Sequence, residues 1–159
     1  MIKTIRIPKE RTAVLIGKHG AAKREIENLG GVKIKVNEEI EIEGEPINVM
    51  NVENVIKAVG RGFSFEKSLQ LLDEDYTLYI ISLPKNERTL KRTRSRLIGT
   101  KGKVRKNIEI MTKTFVSVYG RTVSIIGRYD DTEKAREAVE KLIAGYSHKG
   151  VYKSLSRTR

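Results

Sequence analysis

The chain contains no cysteine. That excludes a disulfide framework, a thiol nucleophile and a thiolate-held zinc site. Histidine is nearly as scarce: His19 and His148 are the only two. Two are too few for a histidine-based metal centre. No apolar run approaches the roughly 18 residues that a membrane span requires. The opening residues, MIKTIRIPKERTAV, alternate apolar and basic side chains and lack the apolar stretch of a signal peptide. The expectation is a cytoplasmic protein with no membrane segment, no metal and no resident cofactor. Its 159 residues, 38% of them hydrophobic, suffice for one domain or two small ones.

What the chain has is positive charge, unevenly placed. The formal net charge is +12. Residues 1–74 hold 12 Lys/Arg and 12 Asp/Glu and are neutral, so the whole excess lies in residues 75–159. Arg88, Lys91, Arg92, Arg94, Arg96, Lys101, Lys103, Arg105 and Lys106 form a run of nine cations with no acid among them. No glutamate alternates with these cations to relieve their repulsion, as it would on an ordinary solvated helix face. A polyanion is the natural neutraliser.

The chain also repeats itself. Leu15–Gly20 (LIGKHG) recurs as Leu97–Gly102 (LIGTKG), an offset of 82 residues. At the same offset Lys23 matches Arg105, Ile26 matches Ile108 and Glu27 matches Glu109. Ile34 then matches Val116, and Val36 matches Val118. Each copy opens on an alternating run, Ile2–Ile7 and Tyr76–Leu83, stopped by Pro8 or Pro84. A short helix, Gly-X-X-Gly and a second helix follow (Ala21–Leu29, Lys103–Met111). Two strands come next, Val32–Val36 with Glu39–Glu43 and Thr114–Tyr119 with Thr122–Gly127. A closing helix ends each copy. Its apolar stripe is Val52, Val55, Ile56 and Val59 in the first copy, and Ala135, Ala138, Val139, Leu142 and Ile143 in the second. Asp130, Asp131 and Thr132 are candidate caps for the second of these helices. Two copies of strand–helix–helix–strand–strand–helix predict an α+β fold, with helices on one face of a small, mainly antiparallel sheet.

The Gly-X-X-Gly turn joins two helices, and glycine permits both the tight turn and the close approach of another backbone. The helix after Gly102 offers free N–H groups and a positive dipole end, to which Lys101, Lys103 and Arg105 add charge. Such a turn suits phosphate. Taken alone it is equally a plain helix–helix connection; its setting and its repetition give it weight.

With that setting the chain resembles the KH domain, whose GXXG loop clamps four nucleotides of single-stranded nucleic acid. The element order is that of type I KH domains, two in tandem, each a three-stranded sheet with helices on one face. The expected boundaries are 1–62 for the first domain, 63–74 for a helical linker and 75–159 for the basic second domain with its C-terminal tail. A narrower resemblance lies outside the loops. GRGFS at Gly60–Ser64 with Phe65-Glu66-Lys67 and Leu69–Leu72, and HKGVYKSL at His148–Leu155, are similar to the linker and tail of the partner-of-Nob-one (Dim-type) small-subunit assembly factors, relatives of the KRR-type factors. Without an N-terminal extension the chain looks like the short archaeal form. This resemblance implies a non-enzymatic protein of small ribosomal subunit biogenesis that binds the 3′ region of 16S rRNA. It further implies a Nob-type endonuclease as partner, and other assembly or translation-initiation factors.

On that reading the second loop is the main RNA site. Phosphates lie over Gly99, Thr100, Lys101 and Gly102, within reach of Arg96, Lys103, Arg105 and Lys106. Leu97, Ile98, Val104 and Val116 floor an aliphatic groove. The first loop, with Ile16, Gly17, Lys18, His19, Gly20 and Lys23, is a weaker secondary site, opposed by Glu25, Glu27 and the run Glu38, Glu39, Glu41, Glu43 and Glu45. Its domain is then in part a protein-binding surface. His19 is either an RNA contact or an ordinary loop residue. The acidic run either holds Mg²⁺ or is a solvated hairpin face with Ile40 and Ile42 turned inward. Phe115 and Tyr119 either stack on bases or pack one domain on the other, and Phe63 and Phe65 belong to the same seam. Ser156–Arg159 are a candidate basic tail on RNA. The contrasting functions are a generic RNA chaperone or exosome-like tethering module, and a scaffold. A nuclease would need a base, nucleophile or metal cage that the sequence does not offer.

Overall fold

The computed structural model of the chain describes residues 1–157. They form two compact units, Met1–Tyr76 and the chain from Thr77 onward.

In the first unit, strand β1 (Ile2–Ile5) pairs antiparallel with β3 (Ile40–Gly44), which pairs antiparallel with β2 (Val32–Val36). The sheet order is β1-β3-β2. Period-two alternation sends Val32, Ile34, Ile40 and Ile42 into the core. The opposite face is charged, and the register sets Lys33 across from Glu43 and Lys35 across from Glu41. Each such cross-strand pair contributes roughly 0.2–1 kcal/mol. Glu41 and Glu43 of the acidic run therefore lie on a hairpin face that sets lysines across from them. Helix α1 (Thr12–Ile16) leads to the first GXXG turn, and α2 (Ala21–Gly30) stops at Gly31 in the left-handed conformation. Helix α3 (Pro46–Gly60) begins with proline, whose missing N–H is harmless there. Its Val49, Val52, Val55, Ile56 and Val59 are buried. Residues 63–74 fold within this unit: Ser64 caps helix α4 (Phe65–Leu69) by accepting the Lys67 N–H at 3.2 Å. Phe63 and Leu71 are buried. The Arg11 guanidinium donates to the carbonyls of Val59 at 2.8 Å and Phe63 at 2.6 Å, holding the end of α3.

The second unit repeats the plan. Strands β4 (Tyr76–Ser82), β5 (Phe115–Tyr119) and β6 (Thr122–Arg128) form a sheet in the order β4-β6-β5. Asn86 caps helix α5 (Glu87–Ile98) through the Thr89 N–H. Helix α6 (Lys103–Thr112) follows the second GXXG turn. Val116, Val123 and Ile125 of the sheet meet Leu90, Leu97, Val104, Ile108 and helix α7 (Tyr129–Ile143) in one core. The other face of this sheet carries Phe115 opposite Ile126 and Tyr119 opposite Thr122, with no charged ladder.

Two expectations change. Helix α7 starts earlier than its anticipated caps, with Arg128 at its N-cap position. Asp130 and Asp131 instead lie in the first turn, where the helix dipole favours acids. The Thr132 hydroxyl donates back to the Tyr129 carbonyl at 2.7 Å. The end of the second domain adds a helix that the sequence reading did not place: α8 spans His148–Arg157 and contacts α6 and α7, with Val151 buried. Ser156 and Arg157 thus belong to α8, while Thr158 and Arg159 lie outside the described residues.

Candidate nucleic-acid interface

The two loops have one geometry. Gly17 and Gly99 sit at φ 73°, ψ 179° and φ 74°, ψ 176°. Only glycine is at ease in that region. Gly20 and Gly102 are left-handed at φ 76° and 72°. Between them His19 and Lys101 hold φ of 57° and 56°. Two kinked turns therefore present helices α2 and α6 by their N-termini.

Beyond the loops the copies share a second device. Glu109 accepts the backbone N–H of Val116 at 2.8 Å, and Glu27 accepts that of Ile34 at 2.9 Å. Val116 and Ile34 lie on β5 and β2, the strands at one edge of each sheet. Each glutamate pairs with the cation four residues before it, Arg105 at 2.8 Å and Lys23 at 3.3 Å. Arg105 also reaches the Val116 carbonyl at 3.4 Å. In each copy one ion pair therefore bridges the second helix and the strand edge.

The charge around the two loops differs. In the first unit Arg24 donates to the His19 carbonyl at 2.8 Å, and Arg6 pairs with Glu39. In the second, Thr100, Lys101, Lys103 and Lys106 are exposed around the turn, and Arg88, Lys91 and Arg92 are exposed on α5. Arg96 is half-buried: its guanidinium donates to the Tyr146 carbonyl at 2.6 Å, while its shielded Nε has no partner. The His148 ring nitrogen Nε2 lies 3.1 Å from the Arg96 carbonyl. Acting as donor, it serves an acceptor that the end of α5 leaves open.

The structure thus separates residues the sequence had grouped. Lys101, Lys103 and Lys106 surround the turn. Arg105 and Lys23 instead face the strand edge, held by glutamates. Leu97 and Val116 are core residues at 2% and 5% exposure rather than an open groove floor. Val104, at 7%, is largely core but also lines the cavity beside the loop with the half-buried Ile98. In the first copy Ile16, Gly17 and Gly20 are half-buried, and Lys18 and His19 are exposed. Among the described residues no three His, Asp or Glu side chains gather where they could hold a metal ion, and no helix is long and apolar enough to cross a membrane.

Comparison with known proteins matches this geometry. A family model described as eukaryotic type KH-domain (KH-domain type I) covers residues 78–159, and a KH domain model covers residues 2–58. The crystal structure of Dim2p from Pyrococcus horikoshii OT3 superposes with a TM-score of 0.93 at 42% identity, covering 99% of each chain. The chain belongs to the two-KH, Dim2-type family. A KH domain-containing protein of Methanocaldococcus jannaschii, MJ0443, is 39% identical over 99% of this chain and 74% of its own length. A chain of the a/eIF2alpha–aDim2p–rRNA complex from Pyrococcus horikoshii OT3 aligns with a TM-score of 0.91 at 40% identity, covering 99% of this chain and 93% of that one. In Dim2-type terms, the tail signature HKGVYKSL now has a physical reading: His148 and Val151 dock α8 against the helices that carry the second KH loop. Sequence reasoning found the signature but not its contacts. Val151 and Leu155 at i, i+4 were the available signal.

Proposed function

We propose that this protein binds single-stranded RNA during small ribosomal subunit biogenesis, holding the 3′ region of 16S rRNA over Gly99–Gly102 of the second KH domain. The observation that carries this reading is the exposed cluster of Lys101, Lys103 and Lys106 around the second loop, which no acid among the described residues neutralises. The geometrically identical first loop lies in a domain whose charges cancel. The rRNA present in the complex of the Pyrococcus relative supports it. Phosphates run over the loop toward the N-terminus of α6, with Lys101, Lys103 and Lys106 as counter-charges. The protein acts by binding and carries no catalytic group of its own. Cleavage of the bound RNA falls to a Nob-type endonuclease partner. The first KH domain binds RNA weakly and serves as a protein-contact surface, for which an initiation factor such as the one in the relative's complex is a candidate.

Fluorescence anisotropy with an RNA of the 16S 3′ end tests the reading, beside a scrambled RNA and a Thr100→Asp/Lys101→Asp variant. This variant spares both glycines, and aspartate tolerates the left-handed conformation at 101. The expected result is preferential binding of the native sequence, lost in the variant. Equal binding of both RNAs would favour a generic RNA chaperone. Binding unaffected by the variant would overturn the assignment to the second loop.

A further inference from the structure

A cavity of about 760 Å³ lies between the second loop and α8. We infer that it receives a base of the bound RNA strand, flanking the nucleotides clamped by the loop. This inference rests on the RNA-binding reading above and adds a site to it.

The cavity lies away from the strand edge. Residues of α6 turn about 100° apart, so Lys103 and Asn107 face nearly opposite to Arg105 and Glu109. The latter pair meets β5. Lys103 and Asn107 line the cavity, together with Arg92 and Arg96 of α5 and His148 and Tyr152 of α8. Among the described residues no acidic side chain lines it. Gly99 and Thr100 form part of its wall, so a strand crossing the loop reaches it without a gap.

The chemistry of the lining suits one nucleotide and its phosphate. The half-buried Tyr152 ring and Ile98 offer an aromatic and an aliphatic surface for a base. Asn107 carries both a donor and an acceptor for a base edge. Arg92 and Lys103 are exposed cations on the cavity lining, the charge that a phosphate needs. Arg96 is pre-positioned by the Tyr146 carbonyl. The core contact of Val151 and the bond of His148 to the end of α5 hold α8 in place, so the aromatic wall is preformed.

The test compares a four-nucleotide RNA, which fills the loop clamp, with an eight-nucleotide RNA from the same 3′ end. Both are titrated by anisotropy into the wild-type chain, Tyr152→Ala, Tyr152→Phe and Arg92→Gln, with thermal unfolding of each variant alongside. A 4-thiouridine-substituted eight-mer is photocrosslinked to the wild-type chain and the attached peptide identified. Loss of one stacked base weakens binding by roughly tenfold. The expected result is that loss with Tyr152→Ala for the eight-mer only, near wild-type affinity with Tyr152→Phe, and a crosslink within residues 147–157. Unchanged eight-mer affinity in Tyr152→Ala, or a crosslink map that omits α8, overturns the inference. If Tyr152→Ala unfolds at lower temperature and weakens both RNAs, the wild-type crosslink map decides. If Thr100→Asp/Lys101→Asp abolishes binding while Tyr152→Ala leaves the affinity for the eight-mer at the wild-type value, the cavity proposal fails and the loop assignment stands. If the wild-type chain binds neither RNA, the RNA-binding reading itself fails. Displacement of the eight-mer by polyglutamate, with no crosslink to α8, would give the cavity to an acidic protein segment and overturn the proposal.

Discussion

At Gly99 the backbone and the space around it make the same demand. A Cβ there would sit 2.4 Å from Val104 Cγ2 and 2.9 Å from the Val104 nitrogen. The conformation is also one that side-chain-bearing residues avoid. Gly102 is different, since a Cβ would come no nearer than 3.9 Å to the side chains around it and would meet only the left-handed penalty. That penalty is roughly 1–2 kcal/mol. The two glycines of one motif therefore have separate reasons. Urea unfolding should show Gly99→Ala losing about 2–4 kcal/mol, from strain plus overpacking. Gly102→Ala should lose about half as much. Equal losses would mean that the contact with Val104 relaxes freely. The same reasoning explains why charge reversal at Thr100 and Lys101 tests RNA binding more cleanly than substitution of either glycine. Gly17 repeats the case in the first copy, where a Cβ would lie 2.6 Å from Ala22 Cβ.

Among the elements, the strand edges carry the least expected feature. Glu109 and Glu27 occupy edge N–H groups that a sheet otherwise leaves to solvent or to another strand. Removing the carboxylate in Glu109→Ala leaves the Val116 N–H without its partner, at roughly 1–3 kcal/mol. Glu109→Gln keeps an acceptor and should lose less. It also releases Arg105 toward phosphate, so the same variant should bind RNA more tightly while unfolding at lower urea. Anisotropy and denaturation together check it, and weaker binding would mean that the ion pair helps to shape the RNA path. The sequence showed Arg105 and Glu109 at i, i+4, and showed Val116 seven residues on. It could not show that the three meet, because the meeting depends on how α6 crosses β5. What was legible followed from local rules. Alternation revealed Val32–Val36 and Ile40–Ile42, the 82-residue offset revealed the second copy, and Gly-X-X-Gly revealed the turns. What was hidden depended on packing. Leu97 and Val116 read as a groove lining because their apolar character fits either a groove or a core. Helix α8 was missed although Val151, Tyr152 and Leu155 recur at helical spacing, because Gly150 in its first turn interrupts the pattern and only the core contact of Val151 shows where the stripe packs.

For the whole molecule, the distribution of charge decides how it meets RNA. Both units present the same loop, yet residues 1–74 of the first hold equal numbers of cations and acids, with Lys33 and Lys35 set across from Glu43 and Glu41 and Arg6 paired with Glu39. The second keeps an excess of 12 positive charges over residues 75–159. Geometry alone would make the loops equal readers of RNA; electrostatics makes them unequal. If the second loop neutralises about four phosphates, log affinity should fall with log salt at a slope near −3, at about −0.7 per contact on a single strand. Thr100→Asp/Lys101→Asp should flatten that slope, because it removes a cation and repels phosphate where the strand turns. Lys18→Asp/His19→Asp makes the matching change in the first loop and should leave slope and affinity near wild type. A first-loop variant that lowered affinity as far as the second would show that both domains grip one strand. The slope would then exceed −3 in magnitude, since counterions would leave two loops together. The two measurements are independent: affinity reports how tightly the strand is held, and slope reports how many phosphates are held.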